Sequence, residues 1–297
     1  MVRSASKCRT NPKENMSWFQ YKELNAAKDK TFRIIQITDC HLFRHGSGDT
    51  YHGVDSEAYL TRVLKHLSEQ FAHGKTLDCV VVTGDITQDH SRESYLVLRD
   101  LCQQYLADTT IAWLPGNHDE LDMLSGCFAE PPFITAKQLQ LGHWQLVLLN
   151  TKGPTPAGWL APDHLAEIEL TMGQLDDSTH VAVFCHHHLL PVGGYIDKHI
   201  ASNGEQLLGL LRGFNAVKCI SHGHVHQEKE TVFKRCSSGL ASSGLSDLCL
   251  WATPSTSMQF LVNNMTGGND DRGPGYRYFE LHPSGQVDSK VTFLIES

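Results

Sequence analysis

Between residues 30 and 226 the chain alternates short apolar runs with stretches in which apolar residues recur every three or four positions. The runs FRIIQIT (32–38), LDCVVVTGD (77–85), TTIAWLPGNHDE (109–120), HWQLVLLNT (143–151), HVAVFCHHH (180–188) and NAVKCISHGHVH (215–226) predict buried strands. Between the first two, Leu60, Val63, Leu64, Leu67 and Phe71 share one face of a helix. Tyr95, Leu98, Leu101, Cys102 and Tyr105 do the same further on. After a break at Pro131 and Pro132, two more helices are predicted near 161–175 and 203–212. This rhythm predicts an α/β fold whose sheet faces are covered by helices. Residues 227–297 change character and read as strands and turns, including YRYFELH and QVDSKVTFLI. No internal repeat is present.

Composition narrows the class. A chain of 297 residues with 40% apolar content can bury one large core. Residues 1–30 are polar and mixed in charge, and read as a partly disordered extension ahead of a single domain over 31–297. The MSWFQYKEL stretch from Met16 marks a second start or the end of a tail. The extension lacks the apolar run of a signal peptide or membrane helix, so a cytoplasmic protein without a membrane partner is expected. The net charge of −8 and the lack of basic runs argue against nucleic acid as a partner. Nine scattered cysteines without a CxxC pair predict reduced, buried thiols, with a Cys236–Cys249 disulfide as the alternative.

The chemistry gathers at the strand ends. Asp39 and His41 follow the first strand, and positions i and i+2 of an extended chain point the same way. Gly84 and Asp85 follow the second, Gly116, Asn117 and His118 the third, His186, His187 and His188 the fifth, and Gly223, His224 and His226 the sixth. Taken singly, GD is an ordinary turn, GN an ordinary helix cap and HxH an ordinary loop. Taken together they predict a site at one rim of one sheet, since ligands of open α/β sheets bind at strand carboxyl ends. Carboxylates, imidazoles and an amide without any thiolate suit manganese, iron, cobalt or zinc. Seven candidate ligands make two four-ligand sites if one carboxylate bridges, and Asp85 on the middle strand is the natural bridge. Two ions about 3.5–4 Å apart can activate a water while neutralising phosphoryl oxygens.

DCH at 39–41, GD at 84–85, GNHD at 116–119, the histidine run from 186 and GHVH at 223–226 resemble the five sequence blocks of the calcineurin-like metallophosphoesterases. HHHLLPVGGYIDKH, GHVHQE and ATPSTSMQF resemble the bacterial class III cyclic-nucleotide phosphodiesterases of the CpdA (Icc) type, over about residues 32–295. The resemblance implies an αββα sandwich of two mixed central sheets flanked by helices. It implies one metal held by Asp39, His41, Asp85 and His226, and a second by Asp85, Asn117, His186 and His224. Iron with manganese or a second iron is the implied pair, with zinc or cobalt as alternatives. His41, Asp85, Asn117, His118 and His226 would face a cyclic nucleotide substrate. His118 would donate a proton to the leaving oxygen as 3′,5′-cyclic AMP becomes 5′-AMP in a monomer or homodimer. His187 and His188 would line the pocket mouth or serve the structure.

Three positions depart from the family pattern. Leu189 stands where proline commonly follows the histidines, and residues 230–250 form a longer, Ser/Gly-rich connection. Gln88 stands where the related protein phosphatases carry an aspartate that orients the catalytic histidine, which leaves Asp89 as a partner for His118. Other phosphodiesters or phosphomonoesters, a non-catalytic scaffold and a structural metal protein remain as alternative readings of the same residues.

Overall fold

The computed structural model describes residues 20–72, 74–235, 247–261 and 268–295. One mixed sheet runs β15 (Val287–Phe293), β14 (Gly275–Leu281), β2 (Phe32–Ile37), β3 (Cys79–Val82), β4 (Ile111–Trp113) and β5 (Phe133–Ile134). The other runs β1 (Tyr21–Asn25), β6 (Gln138–Leu141), β7 (Trp144–Leu148), β8 (His180–Cys185), β9 (Val217–His222), β11 (Leu248–Ala252) and β10 (Lys229–Phe233). Strands β2, β3 and β4 are parallel, as are β7, β8 and β9.

Side-chain alternation builds the layers. Along β2 and β3, Ile35, Ile37, Val80 and Val82 pack beneath α1 (Ser56–Gln70) and α2 (Arg92–Tyr105). Their neighbours Phe32, Ile34, Cys79 and Val81 point the opposite way, onto Leu146, Ala182 and Phe184 of the second sheet. The outer face of that sheet packs Val181, Val183 and Ile220 against α4 (Pro162–Gly173) and α5 (Gly204–Arg212). The result is the expected αββα sandwich. Strands buried on both faces explain why CVVV and HVAVFC read as continuous apolar runs. Asp55 and Ser91 cap the first two helices by accepting from Ala58 and Ser94 N–H.

A polar bridge joins the sheets beneath their carboxyl ends. Buried Gln36 donates to Thr83 at 2.8 Å and accepts from Ser221 at 2.6 Å and Thr253 at 2.8 Å. Every partner is buried and satisfied, which fixes the two sheets in one register.

One expectation changes. The sheet already begins at Tyr21, pairing Tyr21 with Gln138 upstream of the boundary expected at residue 31. The expected tail over 1–15 lies outside the described residues. The 230–250 connection supplies the antiparallel edge hairpin of β10 and β11, with 236–246 outside the described residues. The Cys236–Cys249 alternative falls there too. The seven described cysteines are free, six of them buried, and burial pushes Cys40, Cys79 and Cys185 up to about 12. Among the described residues no helix is long and apolar enough to cross a membrane.

Candidate metal centre

The strand-end residues do not line one rim of one sheet. Asp39, His41, Asp85 and Asn117 leave the first sheet, whereas His186, His224 and His226 leave the second, and the carboxyl ends of both meet at one site. The correction follows from strand order: β3 lies beside β2 and β4, but β8 and β9 pair only within the other sheet. Direct hydrogen bonds close the seam. His224 N–H donates to Asp39 Oδ2 at 2.9 Å, and His186 Nδ1 donates to the Thr83 carbonyl at 2.8 Å.

Two groups of donor atoms form there. His226 Nε2 lies 3.2 Å from Asp39 Oδ1 and 3.2 Å from His41 Nε2. His41 Nε2 is 4.0 Å from Asp85 Oδ2. In the second group His186 Nε2 lies 3.3 Å from Asp85 Oδ2, 3.2 Å from Asn117 Oδ1 and 3.1 Å from His224 Nδ1. Asp85 Oδ2 belongs to both. Its other oxygen accepts from His118 N–H at 2.8 Å.

These donors fit cations better than one another. His41 Nδ1 donates to Gln88 at 2.8 Å and His226 Nδ1 to the Met258 carbonyl at 2.8 Å, so both Nε2 atoms turn lone pairs inward. Two lone pairs facing at 3.2 Å cannot hydrogen-bond. Asp39 Oδ1 is wholly buried and has no hydrogen-bond donor. Donor atoms held about 2.1 Å from one ion in a tetrahedral array sit roughly 3.4 Å apart, close to these separations.

Electrostatics follow from the crowding. Burial opposes charge on His186, yet Asp85 overcomes it and raises the pKa to about 9. Burial, then repulsion from His226, lowers His41 to about 3. Burial works against ionised Asp85, but the His186 and His118 charges hold its carboxyl well below the usual range.

The backbone here is unusual. Asp39, His41, Asp85, His224 and His226 have φ of 55, 47, 49, 69 and 48°, five of the seven positive-φ non-glycine residues described. Such conformations cost about 1–3 kcal/mol each and persist where surroundings impose them. Ser255 and Ser257 hydroxyls donate to the Asp39 carbonyl at 2.7 and 2.8 Å, and His41 N–H donates to Asp85 O at 2.9 Å. Gly116 permits the close approach: a Cβ there would lie 2.1 Å from Asp85 Oδ1.

Several contributors escape sequence inspection. Asp119 is buried and accepts from Ile86, Thr87 and Gly116 N–H, tying the Asp85 loop to the Asn117 loop. Gln88, noted as a departure from the family pattern, accepts from His41 Nδ1 and so orients that ring. Asp89 does not reach His118: its oxygens accept from Arg44 N–H, Thr87 Oγ1 and Ser91 N–H. The ring neighbours of His118 are His41 at 5.1 Å and His90 at 6.0 Å. Both ring nitrogens of buried His187 are bonded, to Thr151 and the Pro156 carbonyl, and His188 Nε2 is bonded to Asp197. Leu189 is core. A cavity of about 350 Å³ lies over the donor atoms, lined also by His118, Tyr51, Tyr195 and Phe260.

Residues 32–228 match the profile of the calcineurin-like phosphoesterases. The chain belongs to this family. It is 37% identical over 284 residues to a probable cyclic nucleotide phosphodiesterase of Pseudoalteromonas sp. (strain SM9913), covering 95% of this chain and 100% of the relative. It is 32% identical over 268 residues to the 3′,5′-cyclic adenosine monophosphate phosphodiesterase CpdA of Haemophilus influenzae, covering 89% and 91%. In fold, it is similar to a dimetal phosphatase from Danio rerio, with a TM-score of 0.54 and 13% identity over 87% of this chain and 98% of that one.

The buried histidines of this phosphoesterase set an acid limit for the metal-free protein. Burial lowers His188 to about 4, and burial lowers His222 to about 3. The unfolded chain takes up those protons near pH 6.5, so the native state loses stability as pH falls from about 6.5 toward 4. Asp119, raised to about 7 by burial and then by Asp85, acts in the opposite sense between about 4 and 7 and offsets only part of this. The melting temperature of metal-free protein is therefore expected to drop across that window. A flat profile would mean that these imidazoles already titrate at their ordinary pKa in the native state.

Proposed function

We propose that this phosphoesterase hydrolyses 3′,5′-cyclic AMP to 5′-AMP at a site for two transition-metal ions. The observation that carries the reading is the sharing of Asp85 Oδ2 by two groups of inward-turned donor atoms. Asp39, His41, Asp85 and His226 would hold one ion, and Asp85, Asn117, His186 and His224 the other. Iron with manganese or a second iron is the proposed pair. Bound there, the ions would supply Lewis acidity toward the phosphoryl oxygens and activate water at neutral pH. The names of the relatives support a cyclic nucleotide, and the net charge of −8 supports a small substrate over a polynucleotide.

The chain's own residues do the rest. His41, Asp85, Asn117 and His226 border the cavity and shape the phosphate subsite. Water adds to phosphorus, the bond to the 3′ oxygen breaks, and His118 passes a proton to that oxygen. Its backbone anchor on Asp85 sets the imidazole at the cavity wall.

Purified protein with measured metal content should turn over 3′,5′-cyclic AMP faster than 2′,3′-cyclic nucleotides, releasing 5′-AMP. Hydrolysis of p-nitrophenyl esters alone would replace the reading with another phosphoesterase activity. Asn117→Ala and His186→Ala are each expected to cut metal from about two ions per chain to about one while the fold is retained. Unfolding of both variants instead would favour a structural metal.

A further inference from the structure

We propose that the Tyr51 hydroxyl is a further substrate contact of this phosphoesterase, donating a hydrogen bond to a non-bridging phosphoryl oxygen. The inference rests on the phosphodiester reading above, and adds to it a residue that none of the strand-end blocks contains.

Tyr51 is placed by a tight turn. Its N–H donates to the Val54 carbonyl at 2.9 Å and its carbonyl accepts from Val54 N–H at 3.0 Å. His52 and Gly53 between them have φ of 50 and 85°, the double positive-φ conformation of a two-residue hairpin turn. Val54 anchors the turn in a small apolar cluster with Ile196, Val225 and Phe260.

The turn lays the Tyr51 ring on His41, with centroids 4.0 Å apart and planes 9° from parallel. The ring lines the cavity over the donor atoms, and its hydroxyl is in electrostatic reach of Asp85, Tyr195 and Asp39. Tyr51 makes no side-chain hydrogen bond to any described residue. A phenol is neutral at physiological pH and carries one donor proton. Set at the wall of a site that collects anionic phosphate, its natural acceptor is a phosphoryl oxygen.

Two features separate Tyr51 from His118. The near-parallel stack puts Tyr51 on the face of the His41 ring, whereas His118 meets it at 84°. And a neutral phenol that holds a non-bridging oxygen needs no proton transfer, so its contribution is independent of the leaving group. The competing account makes Tyr51 a packing lid that only steadies His41.

Tyr51→Phe decides between them because it keeps the stack and removes only the hydroxyl. A lost hydrogen bond to a charged group predicts that kcat/KM falls roughly 10- to 100-fold. The fall should be equal for 3′,5′-cyclic AMP and bis(p-nitrophenyl) phosphate. Binding of inorganic phosphate, read by calorimetry on metal-loaded protein, should weaken about 10-fold, with metal content at the wild-type level. Undiminished turnover, a loss confined to one substrate, or unchanged phosphate binding would overturn the proposal. So would metal loss in Tyr51→Ala together with wild-type behaviour of Tyr51→Phe, the signature of the packing lid. If the wild-type protein cleaves aryl diesters but no cyclic nucleotide, the substrate reading fails by itself. The aryl diester and phosphate measurements then still judge Tyr51.

Discussion

Asp85→Ala is expected to lower turnover by about 10³-fold or more, the scale at which loss of one strong transition-state contact acts. It should also release metal from both groups of donors. Asp85 stands at the end of β3, between the strands that deliver Asp39 and Asn117. One carboxylate oxygen serves both groups, and the other anchors the His118 backbone. Losing it removes the carboxylate that stands beside both His186 and His41, the position the two groups of donors share. Asn117→Ala should spare the other group, so elemental analysis of the two variants side by side isolates the shared position. Asp85→Asn refines the comparison, since it preserves shape and removes charge. Two ions still bound in Asp85→Ala, with normal turnover, would defeat the two-metal assignment.

The second large effect is expected at His118. His118→Ala should reduce kcat by roughly 10²- to 10⁴-fold, the range for losing a general acid, with metal content near wild type. The side chain lines the cavity, and His41 and His90 are its ring neighbours. Among the described residues no carboxylate hydrogen-bonds its ring, so its proton supply does not depend on an aspartate partner. The loss should shrink for a p-nitrophenyl diester, whose phenolate leaves unaided, and stay large for a cyclic nucleotide, whose leaving group is an alkoxide. Measured on both substrates at matched metal loading, equal losses would mean that His118 holds phosphate rather than protonating the leaving oxygen. The contrast with Tyr51→Phe, where equal losses are expected, assigns different tasks to the two side chains.

The sequence by itself determined the local elements and the chemistry at their ends. Apolar runs bounded by turns are strands because burial on both faces leaves no polar alternation, and three- and four-residue spacing marks the helices that cover them. Asp39, His41, Asp85, Asn117, His186, His224 and His226 were legible because each directly follows such a run. What tertiary structure alone decided is which sheet each strand joins. Hydrogen-bonded strand order is a long-range property, so one rim of one sheet became two rims meeting across the Gln36 bridge. The early edge strand at Tyr21 was hidden for the same reason: YKELN is polar and becomes a strand by pairing with β6. Left-handed backbone at five candidate ligands does not follow from residue identity: Asp and His are enriched in that region among non-glycine residues, yet only a small minority of them adopt it. Nor do the partners of Asp119, the turn of Gln88 toward His41, or the stack of Tyr51 on that ring. Those contacts join residues of the segments that follow β2, β3 and β4, which the side-by-side pairing of these strands and the folding of the β2–α1 loop bring together.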